Sequence, residues 1–368
     1  MNNKIFQAIG LISGTSMDGI DITLVETDGI TLKRLNLGFT NSYSFETKNN
    51  LEKAILDPLK LNNNKLIFDT LTKQITEDHI TTVELLKKEL SFQPNLIGFH
   101  GQTILHIPER KISIQLGDSN FLANKTNIKV VSDFRSNDLF HGGQGAPLAP
   151  IYHMAMLKSM NIKLPSCIIN IGGVSNLTYF DGANLIGFDT GPGNGLMDWY
   201  MYKKTNLPFD EKGYVSKKGS TNYDIVDKII KNDFFKKQPP KSIDRFYFKQ
   251  HLIDLKLFDL STEDAMSTIA EITIVSILHA LKFCPKKINL IIIIGGGQYN
   301  EYLLEELQKR TLIKIKNGNS LGIPGDLIEA ELIAYLAARH MNSLPITFPQ
   351  TTGVPEALLG GVLSIPNH

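Results

Sequence analysis

The sequence predicts an α/β protein with two related halves. Apolar runs of strand length alternate with longer helical patterns along the chain, which is typical of α/β folds. The 368 residues, 42% of them hydrophobic, are sufficient for two domains. A glycine turn followed by a strand occurs twice, in Ile9-Gly-Leu-Ile-Ser-Gly and in Ile169-Asn-Ile-Gly-Gly-Val-Ser-Asn. The repeat is weak, but it predicts two hairpins that face one ligand from two domains. The alternative is a chance resemblance of two short glycine turns.

The composition argues against several classes of partner. Lys and Arg total 38 against 37 Asp and Glu, and the basic residues form no stripe, so nucleic acid is not expected. Cys167 and Cys284 lie in apolar runs and are predicted to be buried thiols of a reducing compartment. No signal peptide is apparent, and the apolar run 290–294 is too short to span a membrane. We therefore expect a soluble, cytoplasmic protein.

The first half opens with the most informative segment of the chain. Residues 10–21 read Gly-Leu-Ile-Ser-Gly-Thr-Ser-Met-Asp-Gly-Ile-Asp, with apolar strand-like runs on both sides. Backbone N–H groups and hydroxyls of such a turn can converge on a phosphate. Asp18 and Asp21 would then require a cation such as Mg²⁺ between them and the phosphate. The turn has no P-loop lysine, and an ordinary β-hairpin is the alternative.

A polar cluster follows in the rest of the first half. Residues 46–91 have a helical pattern, and 95–100, 112–116 and 128–132 are strand-like. His100, Gln102 and Thr103 follow the first of these strands and offer hydrogen bonds to hydroxyls or amides, although a lone histidine there is more often structural.

Arg135 is a candidate for contact with an anion. The alternative is a local salt-bridge network of Asp133, Arg135 and Asp138. The glycine-rich run 142–150 that follows is interpreted as a hinge.

The second half offers one carboxylate that is well placed for catalysis. Residues 167–171, 176–180 and 185–188 are strand-like, and Asp189 follows the last of them, before a glycine-rich loop and a helical pattern. The carboxyl end of a strand is where α/β proteins bind ligands, and aspartate is a competent general base. The alternative is that Asp189 caps the following helix or turn.

The remaining elements complete the second half. The Lys-rich segment 205–255 is interpreted as surface helices and loops, and Ser261 is predicted to begin a long helix with Asp264 as its capping partner. A buried strand, 287–294, leads into Gly295, Gly296 and Gly297, where a flat ring such as adenine could approach the backbone. A plain tight turn is the alternative. Helices are predicted over 300–310 and 326–341, and Glu329 is interpreted as an ordinary first-turn charge of the last one.

Taken together, these motifs resemble the anhydro-N-acetylmuramic acid kinase family. The resemblance extends from about residue 9 to the C-terminus, and it departs from the family pattern around Glu329 and at Gln298 and Tyr299. Its motifs are Ser13-Gly-Thr-Ser-Met-Asp-Gly-Ile-Asp21, His100-Gly-Gln-Thr103, Arg135-Ser-Asn-Asp138, Gly142-Gly-Gln-Gly-Ala-Pro147, Asn170-Ile-Gly-Gly-Val-Ser-Asn176, Gly187-Phe-Asp-Thr-Gly-Pro-Gly-Asn194, Gly295-Gly-Gly297 and Asn300.

The resemblance implies a fold and a reaction. The fold is the two-lobed actin/hexokinase-like ATPase fold, with two RNase-H-like lobes around a central cleft. We expect an N-terminal lobe over 1–140, to which the tail 345–368 packs back, and a C-terminal lobe over 141–344. Water attacks the anomeric carbon of 1,6-anhydro-N-acetylmuramic acid, the anhydro bridge opens, and O6 takes the γ-phosphoryl group of ATP. The alternatives are a kinase of an ordinary amino sugar and a non-catalytic actin-like ATP-binding protein.

The resemblance also implies roles for individual residues. Asp189 is the general base, and Asp18 is the residue expected near Mg²⁺. The ATP contacts are expected from Gly14, Thr15, Ser16, Met17, Asp18, Gly19, Ile20, Asp21, Gly172, Gly173, Gly295, Gly296, Gly297 and Asn300. The sugar contacts are expected from His100, Gln102, Thr103, Arg135, Asp138, Gly191 and Asn194. We expect small-molecule substrates only, no membrane or nucleic acid, and a homodimer as one form of assembly.

Overall fold

The computed structural model describes residues 3–14, 19–56, 58, 61, 64–323, 325 and 327–367. Its strands, in chain order, are β1 (Phe6–Ser13), β2 (Ile20–Thr27), β3 (Leu32–Asn41), β4 (Leu96–Ile107), β5 (Ile112–Leu116), β6 (Val130–Ser132), β7 (Ser166–Ile171), β8 (Val174–Phe180), β9 (Leu185–Pro192), β10 (Leu290–Ile294), β11 (Lys314–Asn317) and β12 (Val362–Ser364). Its α-helices are α1 (Phe45–Leu56), α2 (Lys65–Lys88), α3 (Ser119–Thr126), α4 (Ser136–Phe140), α5 (Ala149–Ser159), α6 (Asn194–Thr205), α7 (Tyr223–Ile230), α8 (Asp233–Lys236), α9 (Lys249–Asp254), α10 (Thr262–Ala280), α11 (Glu301–Arg310) and α12 (Ile328–Met341).

The chain folds into two compact units with the same strand order. In the first unit β1, β2 and β3 form an antiparallel meander, β4 pairs parallel with β1, and β6 pairs parallel with β4. In the second unit β7, β8 and β9 form the meander, β10 pairs parallel with β7, and β11 pairs parallel with β10. Strands β5 and β12 extend the first sheet at β4 and β6. The predicted repeat therefore covers five strands in each unit, and the RNase-H-like α/β fold class is confirmed.

The units divide the chain at other positions than the sequence suggested. The first unit comprises 1–160 and 327–368, and the second comprises 161–326. Helix α12, which we assigned to the C-terminal lobe, packs directly on β1 and β4 of the first unit. A Cβ atom at Gly10 would overlap the carbonyl oxygen of Ala330, and one at Gly98 would overlap that of Ile333. Helix and sheet backbones touch at these two glycines, which explains why α12 belongs to the first unit.

Helix α10 is the core helix of the second unit. Ser261 caps it by accepting a 3.1 Å hydrogen bond from the N–H of Asp264, as the sequence predicts. The segment Thr262–Phe283 is long and apolar enough to cross a membrane, but two thirds of it is buried inside the protein. It packs in a core with β7, β8 and α6, where Cys167 is buried as predicted and Cys284 is only partly buried. Burial in this core accounts for its apolar composition.

Buried neutral histidines should make the fold sensitive to acid. His79, on α2, packs against Phe99 and hydrogen-bonds through Nδ1 with the carbonyl oxygen of Ile75. Burial lowers its pKa to about 4. An unfolded histidine binds a proton below pH 6.5, so the contribution of His79 to stability is present above that pH and is lost as the pH falls towards 4. The loss is about 2 kcal/mol at pH 5.

Denaturant unfolding at pH 7 and pH 5 measures this effect. We expect His79→Gln to lose about 2 kcal/mol less than the wild type between these two pH values, because the other titrating groups are common to both proteins. His141→Gln, at an exposed position, should behave like the wild type. Equal losses in wild type and His79→Gln would show that His79 is not held neutral by the fold.

Candidate active site

Asp189 lies on β9 of the second unit, held by hydrogen bonds on two sides. Its N–H donates to the carbonyl oxygen of Lys241 at 2.9 Å, and its Oδ2 accepts from the N–H of Ile243 at 2.9 Å. Burial raises its pKa to about 7, against a smaller lowering by the Ile243 hydrogen bond. The helix-capping alternative is wrong, because Gly193 is the N-cap of α6 and no side chain caps that helix. A carboxylate with a pKa near neutrality can take and return a proton.

The glycine turns of the second unit converge around the start of α6. The N–H of Asn194 donates to the carbonyl oxygen of Gly172 at 2.7 Å, and its Nδ2 donates to that of Ile171 at 3.1 Å. A Cβ at Gly297 would collide with Ile171. The structure thus brings together the predicted residues Gly172, Gly173, Asn194, Gly295, Gly296 and Gly297. Backbone groups can approach a ligand closely here, because no side chain intervenes at the glycines.

One segment at this site was missed by the sequence analysis. Residues 241–245, which we call the strap, were assigned to a Lys-rich surface segment. The strap supplies both main-chain partners of Asp189, and Arg245 crosses Gly173 and Gly195, where added Cβ atoms would lie 3.0 and 2.7 Å from it. Arg245 Nε is buried with no hydrogen-bond partner, and Nη2 lies 3.9 Å from Asp198 Oδ2. The available signal is Arg245, a cation that lies beside the glycine turns. Only the folded chain brings Arg245 to these turns, so the sequence does not show it.

The glycine turn of the first unit is supported by a buried amide. Gln102 Oε1 accepts from Ser13 Oγ at 2.6 Å and from the hydroxyl of Tyr43 at 3.3 Å, while Nε2 donates to the carbonyl oxygens of Gly14 and Thr103 at 3.2 Å. Gln102 is fully buried. All four hydrogen-bonding positions of its side chain are therefore used within the protein, two of them on Ser13 and Gly14 at the turn, whereas the resemblance implies a contact of Gln102 with the sugar.

The other described residues of this turn differ in what they expose. The side chain of Ile20 is buried in the core of the first unit, so only its backbone could meet a nucleotide. Asp21 Oδ1 accepts from Thr40 Oγ1 at 2.6 Å. A Cβ at Gly19 would lie 2.6 Å from the carbonyl oxygen of Asn41, so the position requires glycine. The predicted ATP contacts Thr15, Ser16, Met17 and Asp18 lie outside the described residues.

His100 and Arg135 form a cationic cluster of the first unit. Arg135 donates from Nε and Nη2 to His100 Nε2, at 3.2 and 3.0 Å, and from Nη1 to the carbonyl oxygen of Gly145 at 2.6 Å. Burial and the charge of Arg135 lower the pKa of His100 to about 3, so the ring is neutral and can accept. A cavity of about 290 Å³ lies beside His100, between β5 and the start of α4. The hydrogen-bond partners of Arg135 are therefore neutral, while the charges of Glu329 and Asp138 act on it without a hydrogen bond.

Asp138 is buried beneath the same loop, without the predicted salt bridge to Arg135. Its Oδ1 accepts from the N–H of Gly145 at 2.6 Å and its Oδ2 from Thr352 Oγ1 at 2.5 Å. Asp138 thus holds the glycine-rich run in place in the described structure, and the local salt-bridge alternative does not describe it.

Three other predicted residues have structural neighbours that explain their identity. Asn300 caps α11 by accepting from the N–H of Leu303 at 3.1 Å. A Cβ at Gly191 would lie 2.7 Å from Ser276 Oγ on α10, so this glycine permits close packing. Thr103 lies on β4, opposite Gln115, whose Nε2 is 3.4 Å from its Oγ1. A polar group that is used in one of these contacts is not available to a ligand. Only the remaining accessible groups of these three residues could bind one.

The described residues contain no group of three or more His, Cys, Asp or Glu placed to hold a metal ion. Two carboxylates of the first unit are nevertheless electrostatically coupled. Glu329, in the first turn of α12, is exposed, but the protein around its carboxyl displaces solvent, and this desolvation and the charge of Asp21 raise its pKa, while Arg135 lowers it less. The sequence predicts only an ordinary first-turn charge at Glu329. Oxygen donors of this kind suit a hard cation such as Mg²⁺.

Comparisons with known proteins agree over almost the whole chain. The family model described as anhydro-N-acetylmuramic acid kinase matches residues 6–365. Among its relatives, the anhydro-N-acetylmuramic acid kinase of Zymomonas mobilis is 39% identical, over 96% of this chain and 98% of the relative. That of Bradyrhizobium diazoefficiens is 37% identical, over 98% of this chain and 99% of the relative.

Proposed function

The chain belongs to the anhydro-N-acetylmuramic acid kinase family, and we propose that Asp189 is the general base of its reaction. The protein is an ATP-dependent kinase of cell-wall recycling. It converts 1,6-anhydro-N-acetylmuramic acid, water and ATP into N-acetylmuramic acid 6-phosphate and ADP. The observation that carries the assignment of Asp189 is its half-buried carboxyl with a pKa raised to about 7, held at Oδ2 by one main-chain N–H.

The reaction needs one proton acceptor next to the attacking water. As the water oxygen bonds to C1, the C1–O6 bond breaks and a water proton passes to Asp189. O6 then takes the γ-phosphoryl group and ADP leaves. A carboxylate with a pKa near 7 accepts the proton at neutral pH and can release it again after the bond has opened. What supports Asp189 rather than Asp198 as the base is that the carboxyl of Asp198, with a pKa raised to about 6, lies next to the charge of Arg245.

We assign the phosphate contacts to glycine turns within each unit. In the first unit these are Gly14 and Gly19, held by Ser13 and Gln102, together with the turn residues between them. In the second unit they are Gly172 and Gly173, and Gly295, Gly296 and Gly297 are assigned to the adenosine. Backbone N–H groups of such turns bind anions without a lysine. His100, Thr103 and Arg135 are assigned to the sugar, with Arg135 as the cation for its carboxylate.

Mg²⁺ is proposed as the metal of the bound ATP. The donors that fit it are carboxylates of the first unit: Asp18, which lies outside the described residues, and Asp21 and Glu329, whose electrostatic coupling a cation would relieve. When bound, the ion neutralises charge on the transferred phosphoryl group. We also propose that the protein is cytoplasmic, that it forms a homodimer, and that it binds neither membranes nor nucleic acid.

Incubation with ATP, Mg²⁺ and a sugar panel tests the function. The panel holds 1,6-anhydro-N-acetylmuramic acid, 1,6-anhydro-N-acetylglucosamine, N-acetylmuramic acid and N-acetylglucosamine, and products are read by mass spectrometry. We expect the first sugar to gain the mass of one water and one phosphoryl group. Equal phosphorylation of the open sugars would favour an ordinary amino-sugar kinase. ATP binding without phosphorylation of any sugar would favour an actin-like binding protein.

A further inference from the structure

Lys241 carries a buried ammonium group with an unusual environment. It is only 5% exposed, and its Nζ lies 4.7, 4.8 and 5.9 Å from the ring centres of Phe283, Phe234 and Phe188. The same Nζ donates to the carbonyl oxygens of Phe234 and Phe235, at 3.2 and 3.5 Å. Within the part of the chain that the structure describes, no carboxylate forms a salt bridge with it. Burial lowers its pKa to about 8.

Such a group is not the most stable choice for an aromatic pocket. Cation–π contacts and two carbonyl oxygens offset only part of the cost of removing an ammonium from water. A methionine of similar length would fill the same space without that cost. We call the three rings of Phe188, Phe234 and Phe283 around Lys241 Nζ the cage. The cage adjoins the candidate active site, since Phe188 directly precedes Asp189 on β9.

The main chain of the strap links this cage to the general base. The carbonyl oxygen of Lys241 accepts from the N–H of Asp189, and two residues later the N–H of Ile243 donates to Asp189 Oδ2. Among the described residues, no hydrogen-bond donor reaches Oδ1. The strap therefore fixes one carboxylate oxygen and leaves the other for a proton. The Ile243 hydrogen bond is also the interaction that opposes the rise of the Asp189 pKa.

We propose that Lys241 is a positioning residue for Asp189: its caged ammonium holds the strap where the N–H of Ile243 orients the carboxylate and favours its ionised form. The proposal rests on the role of Asp189 proposed above. Lys241 touches no reacting atom in it, and acts through the main chain of the strap. Loss of the ammonium releases the strap, weakens the Ile243 hydrogen bond and raises the pKa of Asp189.

The charged groups around the cage and the strap are few. His279, on α10, contacts the rings of Phe235 and Phe283, and its pKa is lowered by burial, by Lys282 and by Lys241. At the other end of the strap, Arg245 faces Asp198. Asp189 itself responds to burial and to Ile243, and the pKa of Lys241 responds to burial. A change in the Asp189 titration on replacing Lys241 therefore reports on the strap.

Three variants separate this role from simple packing. Lys241→Met fills the cage without a charge, Lys241→Arg keeps a charge that does not titrate, and Phe283→Leu removes one wall of the cage. Lys249→Met is the matched control, because Lys249 also lies over aromatic rings, those of Trp199 and Phe246, but outside the strap. Each protein is measured for kcat, for KM of ATP and sugar, and for the pH dependence of kcat/KM. The pKa of Asp189 is read from the ¹³C signal of its carboxyl by NMR.

The expected results differ between the variants. Lys241→Met should lose about tenfold or more in kcat, with KM values within about twofold of wild type. Its rise of kcat/KM with pH and the NMR titration of Asp189 should both move up by about one pH unit. Lys241→Arg should restore the pH at which kcat/KM rises. The wild type should lose activity above pH 8, where the Lys241 ammonium loses its proton, and Lys241→Arg should lose less because arginine keeps its charge there. Phe283→Leu should change kcat, the pH profile and the Asp189 titration in the same direction as Lys241→Met, but by a smaller amount. Lys249→Met should match the wild type.

The proposal would be overturned if Lys241→Met had the Asp189 titration and the kcat of the wild type. It would also be overturned if Lys241→Met lost thermal stability while its pH profile stayed unchanged. If Lys241→Met does not fold, Phe283→Leu decides by the same two readouts. The NMR titration does not depend on turnover. Absence of sugar phosphorylation by the wild type would thus overturn the proposed function alone, while a normal Asp189 titration in the variants would overturn the role of Lys241 alone.

Discussion

Replacing Asp189 with asparagine is expected to lower kcat by about 10²–10⁴ while leaving the fold and both ligand affinities nearly unchanged. Asparagine has almost the same shape and can still accept the N–H of Ile243 through its amide oxygen. It cannot take a proton from water. The remaining activity should no longer rise with pH through about 7, whereas that of the wild type rises there because the carboxylate form is the active one.

Steady-state kinetics from pH 5 to 9, with binding of ATP and sugar measured by calorimetry, tests this expectation. Asp198→Asn is the matched control: it removes a half-buried carboxylate of the same unit whose pKa is also raised, to about 6, but which lies next to Arg245. Its kcat should stay within about tenfold of wild type. An Asp189→Asn enzyme with wild-type kcat, or a larger loss in Asp198→Asn, would assign the base elsewhere.

Gly10→Ala should produce the largest loss of stability by a single methyl group. The added Cβ would overlap the carbonyl oxygen of Ala330, and both partners are backbone in the core of the first unit. The sheet and α12 must therefore move apart, which costs about 3 kcal/mol or more. Gly172→Ala is the control, because its Cβ would meet only the carbonyl oxygen of Val174, at 3.6 Å. Urea unfolding of both variants measures the difference; a stable Gly10→Ala would mean that α12 does not pack on β1 as described.

Local patterns predicted much of the fold. Apolar alternation and glycine turns identified both hairpins, and strand order extended their repeat to five strands of each unit. Strand β3 was missed because Leu32 is its one buried residue and its polar residues interrupt the apolar alternation, and β11, Lys-Ile-Lys-Asn, is too short to show a period. The place of α12 could not be predicted, since the contacts of Gly10 and Gly98 join residues more than 200 positions apart.

The candidate site was predicted in part for the same reason. Asp189 and the glycine turns carry their signal in a few adjacent residues. The strap carries none, because its function lies in main-chain groups of Lys241 and Ile243 that meet Asp189 across about fifty residues. Likewise, the resemblance implies a sugar contact at Gln102, and only the folded chain shows that its amide is fully buried and bonded to Ser13 and Gly14 of the turn.

Turnover in ¹⁸O-labelled water tests the central claim, that water opens the anhydro bridge and O6 receives the phosphoryl group. The product is read early by mass spectrometry, because the free reducing sugar exchanges its anomeric oxygen. We expect one label at C1 and none in the phosphate ester, and Asp189→Asn should slow the appearance of that label. Label in the phosphate, or a phosphorylated sugar with its anhydro ring still closed, would contradict the mechanism.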